Sequence, residues 1–116
     1  MNETGRPLRV LLWPANPALA VRLGLERDIE VVASPLGRPA VALVESVEGV
    51  REVREEAPEC AVLLAVGSAR PGLREAALSA GASGLVLHDA PLPDLARSLH
   101  AASRGERVTD PSLDVP

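Results

Sequence analysis

Five short apolar runs, "LRVLLW" (8–13), "IEVVA" (29–33), "AVALVE" (40–45), "CAVLLAV" (60–66) and "GLVLH" (84–88), restrict this chain more than anything else in it. A strand with one wet face alternates apolar and polar residues. These runs barely alternate, which marks parallel strands covered on both faces. Parallel neighbours need long return connections, usually helical. The segments between the runs supply them: "PALAVRLGLER" (17–27), "EGVREVREEA" (48–57), "PGLREAALSA" (71–80) and "PLPDLARSLHAASR" (91–104) carry apolar residues three or four apart, the spacing of one helix face. Pro17 and Pro71 stand where a first-turn proline carries no penalty, and Gly81 and Gly105 where a helix closes in a left-handed cap. The pattern predicts an α/β fold, a three-layer, doubly wound parallel five-stranded sheet with helices on both faces. The 116 residues fit one compact domain. It is drawn at 8–105, with 1–7 as an N-terminal tail and 106–116 as a C-terminal tail or the start of a linker. In such sheets ligands bind beyond the carboxyl ends of the strands, and "WPAN" (13–16) lies at the first of those ends.

Several function classes fall away on composition. Net charge is −4, whereas nucleic acid is held through its phosphates by a clustered excess of Lys and Arg, so no direct nucleic-acid binding is expected of this domain. All twelve basic residues are Arg, which leaves no amine nucleophile. Trp13 is the one aromatic residue, too little for a base-stacking platform. No apolar run approaches the length of a bilayer span, and "MNETGRP" carries an acid directly before a strand-like run, unlike a leader peptide. No membrane contact is expected, and the cytoplasm is the expected location. Cys60 stands alone, which excludes an internal disulfide, and reads as a buried small hydrophobe. His88 and His100 lack the supporting acids of a metal centre. No cofactor is expected.

The stretch "AGASGLVLHDAPLPDLARSLHAASRGERVTDPSL" (80–113) resembles the last third of a response-regulator receiver domain, CheY-like and of the branch whose output is a LuxR-type helix-turn-helix. "LRVLLW", "DIEVVA" and "RPAVALVE" resemble the same family in order, so the likeness runs over about residues 8–113. The resemblance implies strand order 2-1-3-4-5 and a phosphorylation module of two-component signal transduction. Such a module needs two acids after the first strand to hold Mg²⁺, an acceptor Asp on the third, a hydroxyl after the fourth and a Lys after the fifth. Aligned on the resemblance, the acids fall at Pro14 and Ala15, the acceptor at Glu45, the hydroxyl at Val66 and the lysine at His88. Pro14 and Ala15 offer a cation no side-chain oxygen. Glu45 is one methylene longer than Asp, which misplaces it for in-line attack. Because the parts act as a unit, the chain reads as a degenerate pseudo-receiver: Mg²⁺ is not expected and no catalytic step is expected.

Lengths depart from the family as well. Only eight residues, 33–40, separate the second strand from the third, while a helical crossover takes roughly a dozen or more. The second helix is therefore expected to be missing, and the third, striped by Val50, Val53 and Ala57, to be shortened. Both belong to one face of the sheet, which is expected to be thinly covered. An alternative is that Ser34-Pro35-Leu36-Gly37 forms a type I turn and closes an antiparallel hairpin.

For function, the leading expectation is a non-phosphorylatable signalling domain acting by protein–protein association, with a protein partner or as a homodimer. Charged positions Arg70, Arg74, Arg97 and His100 are a possible interface, although the stripped sheet face is energetically the better docking surface. Glu45 reads either as a standing imitation of a phosphorylated Asp, paired with His88 or an Arg, or as a solvated strand-end acid. Trp13 and Pro14 are expected to plug the space that an acidic pocket would hold. The alternative is a small-molecule-sensing regulator with a pocket walled by Trp13 and given polar groups by Asn16, Glu45 and His88.

Overall fold

A computed structural model describes residues 6–113; residues 1–5 and 114–116, read above as parts of the two tails, lie outside the described residues. The strands are β1 Leu8–Trp13, β2 Ile29–Val32, β3 Val41–Val44, β4 Ala61–Val66, β5 Gly84–Leu87 and β6 Val108–Thr109. All pair in parallel, in the order β2-β1-β3-β4-β5-β6. The helices are α1 Pro17–Leu23, α2 Val47–Glu56, α3 Leu73–Ala80 and α4 Leu92–Ser103. The expected doubly wound receiver-type architecture is present, with one strand more than expected.

Local chemistry sets the helix ends. Asn16 accepts the Leu19 N–H at 3.1 Å ahead of Pro17 and so caps α1, and Ser46 accepts the Gly49 N–H at 3.0 Å and caps α2. Gly81 closes α3 at φ 112°, a left-handed conformation that a side chain would resist. Along β1 the side chains alternate between faces. Val10 and Leu12 join the core under α1 and α4, built with Leu43, Leu63, Leu95 and Leu99. Leu11 and Trp13 join the core under α2 and α3, built with Val44, Val53, Leu64 and Leu85.

Residues 33–40 form a parallel crossover without an α-helix. Gly37 N–H does donate to Ser34 O at 2.9 Å, so the expected turn exists. It closes no hairpin, because β3 pairs in parallel with β1 on the side away from β2. The turn is wound into a 3-10 segment, Pro35–Gly37, and is tied down by Arg9, which donates to Gly37 O at 3.1 Å.

The thinly covered face is not found. Leu11, Ala42 and Val44, which lie under the missing helix, are fully buried. Two devices cover them. The crossover sits on β2 so closely that a Cβ at Gly37 would lie 2.9 Å from Val32 Cβ. Trp13 packs onto the same core and its indole N–H donates to Glu52 Oε1 of α2 at 2.9 Å. A bare loop and one large side chain do the covering that a helix would otherwise do. Three large apolar side chains are exposed among the described residues: Val21, Leu25 and Leu36.

The segment read as a tail after residue 105 builds structure instead. β6 pairs with β5 in the register Gly84 to Val108 and Leu85 to Thr109, and Leu113, 3% exposed, enters the core under α2 and α3. Asp110 fixes the turn between them by accepting from Ser112 Oγ at 2.6 Å and Ser112 N at 2.9 Å. Those two bonds hold its carboxyl below the ordinary 3.8. The hydrophobic pattern missed β6 because two residues carry no period.

Cys60 is buried, as expected, and desolvation raises its thiol to about 11. At neutral pH it should therefore resist an uncharged alkylating reagent in the native chain and react fully in denaturant. Rapid labelling of the native protein, read by intact mass, would contradict that burial. Among the described residues no helix is long and apolar enough to cross a membrane.

Candidate functional site: a cleft at the strand ends

β1, β3, β4 and β5 are successive neighbours, so the residues at their carboxyl ends converge. A cleft of about 720 Å³ opens there. Leu12, Leu43 and Ala65 form its floor, and Ala18 and Leu19 of α1 form one wall. Around them stand Pro14 and Asn16 after β1, Glu45 after β3, Val66, Gly67, Ser68 and Arg70 at and after β4, His88 after β5, and Arg22 of α1.

Six of the residues singled out in the sequence, Pro14, Asn16, Glu45, Val66, Arg70 and His88, are thus brought together. Trp13 is not with them. As the residue after Leu12 on an extended strand it faces the opposite side of the sheet, so it neither plugs this space nor walls the pocket. Both expectations placed the residue on the wrong face because they treated "WPAN" as one patch. Ala15 is exposed and does not line the cleft.

Polar contacts order the rim. The Asn16 side chain serves two elements: its oxygen caps α1, and its Nδ2 donates to Glu45 Oε2 at 3.3 Å. The structure thus pairs Glu45 with an amide rather than with His88. The imidazole lies over Gly67, where an added Cβ would come within 3.1 Å of His88 Nε2. Arg22 reaches from α1 to the connection after β5 and donates to Ala90 O at 3.3 Å. Two guanidiniums, Arg22 and Arg70, therefore share the lining with one carboxylate, Glu45.

The donor set does not suit the Mg²⁺ that the receiver resemblance implies. A hard divalent cation takes several oxygens; here a single carboxylate faces two guanidiniums, and Pro14 supplies no side-chain oxygen. No group of three or more His, Cys, Asp or Glu residues gathers among the described residues.

The possible interface residues do not form one surface. Arg70 lines the cleft. Arg74 is on α3, and Arg97 and His100 are on α4, helices that cover opposite faces of the sheet. Within the chain, Arg97 pairs with Asp94 at 3.1 Å and His100 lies 3.0 Å from Asp28. Sequence reading missed Arg22 and Ser68 as cleft residues. For Arg22 a signal existed, since it is the only charged residue of "PALAVRL"; for Ser68 there was none.

No family model matches the chain. The transcriptional regulatory protein DesR of Bacillus subtilis (strain 168) is 29% identical over 114 residues, covering 83% of this chain and 56% of that protein. The chain spans about half the length of the curated relatives it matches. Among solved structures, the signal receiver domain of the response regulator NarL from Mycobacterium tuberculosis aligns with a TM-score of 0.73 at 22% identity, covering 87% of this chain and 99% of that one. A LuxR-family two-component response regulator from Aurantimonas sp. SI85-9A1 aligns with a TM-score of 0.75 at 19% identity, covering 92% of each chain.

Proposed function

We propose that this chain, which carries the receiver fold of response regulators, is a regulatory domain that works by protein–protein association and takes no phosphoryl group. One observation carries the reading. Where receiver chemistry requires several oxygen donors, the converging strand ends hold Pro14, Val66 and a single carboxylate that already accepts from Asn16. Nothing there can neutralise an incoming phosphoryl group through a metal, and the phosphotransfer parts fail together rather than one at a time. On this reading the domain has no catalytic step, resides in the cytoplasm, and transmits through its surface.

Of the three large apolar side chains exposed among the described residues, Leu36 stands alone in the crossover, while two lie together on and just after α1, Val21 at 69% and Leu25 at 74%, four residues apart. We expect homodimerisation to use this side. Light scattering of the wild type across a concentration series should show a mass rising towards two chains, and Val21→Glu with Leu25→Glu should hold the protein at one. A wild type that stays monomeric at every concentration would remove self-association, and an unchanged dimer in the double variant would remove α1 from it.

A second reading, a small-molecule-sensing regulator, is favoured by the cleft itself. Its volume of about 720 Å³ falls in the range of small-molecule pockets, roughly 300–1,000 Å³. The pocket of this reading is the one beside α1, with Trp13 outside it.

A further inference from the structure

We propose that the cleft at the strand ends binds a small organic acid with an apolar body, its acid group taken by Arg22 and Arg70 and its body lying over Leu12, Leu43 and Ala65. The inference rests on the second reading above and gives it a ligand class. Three observations support it.

The first is charge. The chain as a whole is at −4, yet the cleft lining carries two guanidiniums against one carboxylate. That carboxylate accepts from the Asn16 amide and offsets one of the two positive charges, which leaves the lining with one in excess. A local reversal of sign inside a concave site attracts anions and repels cations.

The second is the arrangement of the guanidiniums. Arg22 of α1 is anchored on Ala90 O after β5, which fixes one positive group without ion-pairing it, while Arg70 lines the same cleft from the connection after β4. Arginine forks suit planar oxyanions and form charge-assisted hydrogen bonds with them. The third is the floor. Leu12, Leu43 and Ala65, with Leu19 beside them, are aliphatic, so a bare inorganic anion would leave most of the space unused. An apolar body fills it and gains burial. Ser68 and Asn16 add polar groups at the rim.

The test uses two dyes of similar aromatic body and different charge, 8-anilinonaphthalene-1-sulfonate (an organic anion) and N-phenyl-1-naphthylamine (neutral). The expected result is saturable binding of the anion at one site per chain, weakened about tenfold by Arg22→Gln with Arg70→Gln, while the neutral dye changes less than about twofold. Glu45→Gln should tighten the anion several-fold at an unchanged one site per chain and leave the neutral dye unchanged, whereas a loosened fold would take up more of both dyes, and high salt should weaken the anion. Inorganic phosphate at millimolar concentration should not displace it.

Equal affinity for both dyes, or anion binding indifferent to all three substitutions, would overturn the organic-acid class while leaving a ligand cleft in place. Binding of neither dye would overturn the cleft and the sensor reading together. Displacement by phosphate alone would overturn the requirement for an apolar body.

Discussion

Gly84→Ala is expected to strip β6 from the sheet and to destabilise the protein by about 3 kcal/mol, the range of a buried clash combined with lost core burial. A Cβ at Gly84 would overlap the Val108 carbonyl oxygen, a backbone atom that cannot rotate aside. The cheapest relief is departure of the two-residue β6. That departure breaks the bonds from Val108 N to Ser83 O and from Asp110 N to Leu85 O, at 3.1 and 3.0 Å, and it draws Leu113 out of the core. Urea unfolding measures the total, and amide exchange at Val108 and Asp110 locates it. Gly72→Ala is the control. Gly72 has φ 80° with nothing within 4 Å of the added atom, so only left-handed strain of about 1 kcal/mol is at stake. If the two variants are equally stable, β6 does not hold the edge of the sheet.

Trp13→Ala is expected to cost about 3 kcal/mol, at the lower end for an aromatic core truncation because the ring is only partly buried. The loss comes from uncovering the core that includes Leu11 and Val44, on the face where α2 and α3 stand without a third helix. Glu52→Ala removes only the acceptor of the indole N–H and should cost about 1 kcal/mol or less. The difference separates covering from hydrogen bonding. Near-equal effects for the two variants would mean that the ring contributes little beyond its N–H, and the account of how the sheet survives without that helix would fail.

Much of the architecture was legible because burial on both faces leaves a signature that exposure does not. The runs around Leu11, Leu43 and Leu63 barely alternate, and each became a parallel strand. The eight-residue gap at 33–40 excluded a helix by length alone. What could not be read was how the face under α2 and α3 is covered with one helix fewer. Whether Trp13 turns to one side of β1 or the other depends on a one-residue alternation, and reading "WPAN" as a unit concealed it. The fate of residues 106–113 was equally hidden, since β6 exists through pairing with Gly84 rather than through any pattern of its own. In the cleft, Pro14, Glu45, Val66 and His88 were legible through the receiver resemblance, which aligns them with strand ends that the sheet order brings together. Arg22, the one charged residue of α1, was marked by that isolation, but its place in the cleft depends on how α1 packs, as its bond to Ala90 O, 68 residues away, illustrates.

The central claim is that a receiver fold here has no phosphoryl chemistry, and intact mass tests it most directly. The protein is incubated with Mg²⁺ and acetyl phosphate beside a phosphorylatable receiver. The account predicts no change in mass, with or without Mg²⁺, over a time in which the control is fully modified. A phosphoryl adduct that maps to Glu45 and depends on Mg²⁺ would contradict it.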